Sequence, residues 1–139
     1  MFIEFSITPP FERPHQAGVQ VSLDIVERSS IGEGRLWARP WSGMSWMEEG
    51  STIDVRAGDP IDLDSDVAKS LLDNIKRLRL PIAFPDRYGI HPTTYRLKIC
   101  TGFNCCEFSW VDELPSDWAA LGDVVKTLES LGFAHAREA

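Results

Sequence analysis

The sequence predicts an α+β fold, an antiparallel sheet with two helices packed on one face, in the order strands, helix, hairpin, helix. Changes in hydrophobic period carry that prediction. In the runs FIEFSI, VQVSLDIVER and STIDVRA the apolar residues alternate, whereas from Ser65 and again from Ser116 they recur every three or four positions. Between the two helical stretches lies YRLKICTGFNCCEFSW, residues 95–110, which is two alternating runs around a glycine-containing turn. Strands grouped ahead of the helices favour an antiparallel sheet over alternating β-α-β units.

The first run, FIEFSI, places Ile3, Phe5 and Ile7 on one face, and Pro9 with Pro10 ends it. VQVSLDIVER is a cleaner strand, in which Val19, Val21, Leu23 and Ile25 alternate with Gln20, Ser22 and Asp24. IGEGRLW holds a G-x-G without a third glycine and without a helix after it, so it is read as a turn and not as a dinucleotide site. GRLWARPW is then extended as far as Pro40, and STIDVRA is a further short strand with Ile53, Val55 and Ala57 on one side.

DLDSDV, residues 62–67, looks like the start of a calcium loop, but Val67 stands where the glycine is required and Asp73 where a glutamate belongs. The run reads better as a helix start, with Asp64 or Ser65 as N-cap and Asp66 at the positive end of the dipole. Val67, Leu71, Ile75 and Leu78, widened by Leu72, form the apolar stripe of a helix from about Ser65 to Leu80. Lys76, Arg77 and Arg79 suit its negative end, and Pro81 disfavours continuation. The last helix follows Pro115, with Ser116 as cap and Asp117 in the first turn. Its stripe is Trp118, Leu121, Val125 and Leu128, joined by Val124 and Leu131, and Gly132 is read as its stop with Phe133 in contact.

The hairpin contains all three cysteines of the chain. Pairing Cys100 with Cys105 around a four-residue loop, Thr101 to Asn104, puts Ile99 opposite Cys106, Leu97 opposite Phe108 and Tyr95 opposite Trp110. Lys98 then faces Glu107 and Arg96 faces Ser109, so that one face is apolar and the other polar; a slip of one residue spoils both. On this reading Cys106 is a small core residue. Cys100 and Cys105 lie close enough for a cross-strand disulfide, and are expected as thiols in a cytoplasmic setting. Adjacent cysteines on a strand point to opposite faces and the paired spacing of zinc ligands is missing, so no metal is expected, even with His91 upstream.

At 139 residues the chain is read as one domain, 1–139, of 43% hydrophobic and 25% charged residues. A net charge of −7 argues against nucleic acid as partner and favours a basic protein surface. No apolar run has the length of a membrane span and MFIEFSITPP lacks the pattern of a signal peptide, which with the odd cysteine count reads as a cytoplasmic protein. A nucleophilic cysteine needs a base, and His15, His91 and His135 sit in loops or tails with no diagnostic context, so the chain is read as a non-enzyme without a cofactor. Trp37, Trp41, Met44, Trp46 and Met47 crowd into eleven residues and border Glu48 and Glu49. Trp37 is assigned to packing over the sheet. Trp41, Met44, Trp46, Glu48 and Glu49 are the candidate partner-binding residues, because tryptophan and methionine are enriched at binding hot spots.

Residues 65–131 resemble the emfourin-like protease inhibitors, small bacterial proteins. The matching pattern is a helix ending RLRLP, then YRLKI with a turn and a second strand to Trp110, then LPSDWAALGDVVKTLESL. The resemblance implies a compact inhibitor-like domain that acts by binding another protein, and it assigns no functional residue. Composition, the aromatic segment and the resemblance together predict a small acidic bacterial protein that neutralises a partner, either an immunity protein against a toxin or a protease inhibitor. An adaptor or assembly subunit is the alternative, followed by a small hydrolase using carboxylates or a histidine.

Overall fold

The computed structural model describes residues 1–10, 18–28, 31–40, 59–81 and 93–136. In chain order the elements are β1 (Phe2–Thr8), β2 (Val19–Arg28), β3 (Ile31–Pro40), β4 (Ile61–Leu63), α1 (Ser65–Lys76), β5 (Thr94–Thr101), β6 (Asn104–Val111), a 3₁₀ helix (Ser116–Leu121) and α2 (Gly122–His135). The strands form one six-stranded sheet in the order β4-β3-β2-β1-β5-β6, and each neighbouring pair is antiparallel. The architecture is α+β. The predicted strand over STIDVRA lies outside the described residues. The second neighbour of β3, beside β2, is β4, three residues of which Asp62 and Leu63 belong to the run read from sequence as helix start alone.

The alternation predicted for β1 and β2 is the alternation of burial, except at Ser22, which is buried on the other face. Ile3, Phe5 and Ile7 are buried with Val19, Val21, Leu23 and Ile25, and register places Phe5 beside Val21 and Leu97. Leu36, Ala68, Leu71, Leu72, Leu121, Val124 and Leu128 complete the centre of the core. Aliphatic burial on this scale is the main favourable contribution to folding.

Two glycines set how closely the helices approach the sheet. Gly32, read from sequence as part of a turn, lies within β3, and a β-carbon there would stand 2.7 Å from the backbone nitrogen of Lys69 in α1. Gly132, expected to stop the last helix, lies inside α2 and is buried; a β-carbon there would meet Val21 Cγ2 at 2.7 Å. Both positions read as chain punctuation in one dimension and are packing positions in three. Phe133 is accordingly exposed and closes no helix end.

Helix α1 begins where Asp64 accepts hydrogen bonds from the backbone nitrogens of Asp66 (2.9 Å) and Val67 (3.4 Å). Arg79 donates to the carbonyl oxygen of Leu78 at 2.8 Å, just beyond the helix end at Lys76, which is earlier than the sequence suggested. The second helical segment also differs at its start. Its first turns are 3₁₀, Trp118 departs from helical geometry at φ −106° and ψ 19°, and the cap position is Pro115, so Ser116 makes no side-chain cap. The departure lets the Trp118 indole do two things. It donates Nε1–H to the carbonyl oxygen of Pro81 at 3.1 Å, and it meets Phe108 edge-on with centroids 5.4 Å apart.

Candidate functional site

The predicted partner-binding residues, Trp41, Met44, Trp46, Glu48 and Glu49, lie outside the described residues, but the roots of the segment that carries them are defined. The chain leaves β3 at Pro40, opposite Val19 of β2, and returns at Asp59 and Pro60 into β4, where Ile61 pairs with Leu36 of β3. Both roots therefore belong to strands that lie side by side. Leu36, beside the returning strand, is fully buried.

On the sheet face opposite the buried residues, register aligns side chains in rows. One row runs Asp62, Arg35, Asp24, Phe2, Cys100 and Cys105, and the next runs Trp37, Ser22, Glu4, Lys98 and Glu107. Charges alternate in sign along both rows, and Glu4, Arg35, Asp62 and Glu107 are exposed. Trp37 lies on this face, half-buried, directly across from Ser22, which is 1% exposed. It packs on the sheet, as expected, but on the side away from the aliphatic core.

The β5–β6 hairpin has the predicted register throughout, from Tyr95 opposite Trp110 to Cys100 opposite Cys105. Tyr95 and Trp110 stack with ring centroids 5.4 Å apart, and Leu97 is fully buried. Three details differ from expectation. First, Thr101 pairs with Asn104, so the turn is the two residues Gly102 and Phe103, not four. Gly102 has φ +59°, and a positive φ at the first turn position alone is the type II′ pattern that demands glycine there. Second, a two-residue turn makes Cys100 and Cys105 a non-hydrogen-bonded pair with Cα atoms 4.1 Å apart, and the two are joined by a disulfide where thiols were expected. Third, Cys106 is exposed, not a core residue. It points to the predicted face, but the hairpin overhangs the core at this end, and residues 101–107 are all exposed. Alternation reports which face a side chain takes, not whether anything covers it.

Arg96 reaches Glu107 at 2.9 Å, diagonally across the pair instead of through the facing Lys98. The side chains are 63% and 47% exposed, so this ion pair contributes at most about 1 kcal/mol. At the other end of the hairpin, Asp112 adopts φ +58°, its side chain accepting from the backbone nitrogen of Thr93 at 3.0 Å. Nearby, burial raises the Tyr95 hydroxyl above its ordinary pKa of 10.0, and the negative charges of Glu129 and Asp112 add to the shift.

Phe103 is the residue that sequence reasoning missed. It occupies the turn apex with its ring wholly in solvent, inside the ring of backbone closed by the disulfide. The available signal was a large aromatic residue directly after a turn glycine. Among the described residues no three His, Cys, Asp or Glu side chains converge as a metal site would require. No helix among them is long and apolar enough to cross a membrane. No family model matches the chain, and neither a curated protein nor a solved structure matches it significantly.

Proposed function

We propose that this protein is a small acidic binding domain that neutralises a partner protein, as a bacterial immunity protein or a protease inhibitor does, and that it works in the cytoplasm. The observation that supports this reading is that the chain on either side of residues 41–58, at Pro40 and at Ile61, belongs to the adjacent strands β3 and β4. That segment holds Trp41, Met44, Trp46, Glu48 and Glu49, the aromatic and acidic side chains suited to an interface. The two helices share one face of the sheet in this reading, Gly132 against Val21 and α1 against Gly32, and so brace the strands from behind. The net charge of −7 supports a basic partner, whose association it would accelerate. The resemblance of residues 65–131 to emfourin-like inhibitors points the same way.

The test is capture of the partner from the source organism, followed by titration of the purified pair and assay of the partner's own activity. Stoichiometric loss of that activity supports neutralisation, whereas tight binding that leaves it intact favours an adaptor or assembly subunit. Trp41→Ala or Trp46→Ala is expected to weaken binding by about 2 kcal/mol or more, with an unchanged melting temperature. A lowered melting temperature with unchanged affinity would instead make these residues packing elements. Removal of Glu48 or Glu49 should act mainly on the association rate, and less so at high salt.

A further inference from the structure

The disulfide is placed poorly for a structural cross-link. It closes a ring of residues 100–105 only, and constraint of the unfolded chain grows with the length of the loop closed. The hairpin has other supports. β5 is flanked by β1 along Phe2 to Thr8 and by β6 from Asn104 to Val111, so its position does not depend on a sulfur bridge at one end. No core residue lies inside the ring, and the aliphatic core begins below it, at Leu97.

Placement does suit reaction with a thiol. Cys105 is exposed, on a strand at the edge of the described sheet, while Cys100 is half-buried with Phe2 across from it on β1. Displacement at sulfur needs the incoming thiolate in line with the bond being broken. At Cys105 that approach comes from outside the sheet edge, and at Cys100 it comes from the side of Phe2. The attacked sulfur is therefore Cys105 Sγ, and the leaving sulfur is Cys100 Sγ.

We propose that Cys100 and Cys105 form a redox-exchange site, a disulfide opened and closed within the folded protein by external thiols, which determines whether the Phe103 turn is clamped. In the forward direction an external thiolate forms a bond to Cys105 Sγ, the bond between the two cysteines breaks, and Cys100 departs as thiolate and takes a proton from water. A second external thiolate attacks the sulfur of the first, releasing an external disulfide and the Cys105 thiolate, which is protonated in turn. Two external thiols are oxidised and one protein disulfide is reduced. With the bridge open, Gly102 and Phe103 are held only by the pairing of Thr101 with Asn104. The proposal needs no partner protein and stands apart from the neutralisation reading.

The experiment equilibrates the native protein in glutathione buffers from fully oxidised to fully reduced, quenches with acid, alkylates free thiols and counts them by mass. The Cys106→Ser chain is expected to pass from no alkylated cysteine to two, and the wild-type chain from none, with the exposed Cys106 carrying one glutathione, to three, with native circular dichroism throughout. Backbone ¹⁵N relaxation should report added motion at Gly102 and Phe103 in the reduced form and little change at Leu97. A bridge reduced only after denaturant is added would overturn the proposal, because the disulfide would then be inert in the folded state. Free Cys100 and Cys105 thiols in fully oxidised buffer, or unfolding on reduction, would overturn it equally.

Discussion

Gly132 of α2 lies against Val21 of β2 so closely that a methyl group on the glycine would stand 2.7 Å from Val21 Cγ2 and 3.0 Å from Val19 Cγ2. Both valines are fully buried and β-branched, so neither can turn aside without disturbing β2. Gly132→Ala therefore sets a helix-propensity gain of about 1 kcal/mol against an overpacking cost of about 1–3 kcal/mol. Overpacking is expected to win by about 1 kcal/mol. Gly122 is the internal control, because it has helical geometry and open space around it, and Gly122→Ala should stabilise by about 0.4–1 kcal/mol. Denaturant titration of both variants checks the opposite signs.

Leu97 and Cys106 lie on the same sheet face, yet the consequences of changing them should differ widely. Leu97→Ala removes a fully buried side chain between Phe5 and Phe108 and is expected to cost about 2–5 kcal/mol. Cys106→Ser alters an exposed position and should stay within about 0.5 kcal/mol. A large loss from Cys106→Ser would mean that the hairpin end is covered after all.

Trp118 ties the 3₁₀ helix to the residues after α1 through Pro81, and to the hairpin through Phe108. Trp118→Phe keeps a ring and loses the Nε1–H donor. Pro81 is exposed and water can replace the donor, so the loss should be near 1 kcal/mol. Trp118→Ala also empties the space and should cost about 3–5 kcal/mol. Equal losses in the two variants would show that the hydrogen bond, not packing, dominates at this site.

Tyr95 makes stability sensitive to alkali. Its hydroxyl resists ionisation in the folded state, first through burial and then through the charges of Glu129 and Asp112. The unfolded chain releases this proton at lower pH, so above the ordinary tyrosine value the native state holds more protons than the unfolded state. Stability from this group is thus fully present below pH 10.0 and falls as pH rises toward the raised native pKa. Tyr95→Phe should flatten that decline in unfolding measurements across the alkaline range, and tyrosinate absorbance should show one titration displaced upward.

Much of the fold was legible because it rests on local period. Alternation in residues 95–110 specified the whole β5–β6 register, since any slip would have turned Leu97 and Phe108 toward the polar face. The features that escaped depend on neighbours distant in sequence. Gly32 resembles a turn residue until Lys69 is placed beside it, and Gly132 resembles a helix stop until Val21 lies beneath it. Strand β4 is three residues in an acidic run, too short for a period, and exists because Ile61 and Leu63 have β3 to pair with. The exposure of Cys106 and Phe103 depends on where the covering elements end, which strand alternation does not encode. Of the candidate interface, sequence supplied the residue types and the structure supplied the two roots at Pro40 and Asp59.

The strand order has a consequence for how the chain acquires its shape. Strands β1, β2 and β3 pair as a meander of near neighbours, and β4 joins them at β3. β1 sits in the interior of the finished sheet, and its second partner is β5, with Phe2 set against Cys100. During synthesis, therefore, the hydrogen-bonding edge of β1 has no β5 to pair with until α1 and then β5 itself have been made. Closing so long a loop costs more entropy than pairing the local meander does, so the pairing of Phe5 with Leu97 is expected to follow that of Phe5 with Val21. A mutation that delays it leaves an apolar strand edge waiting, which is where misassembly between copies would begin.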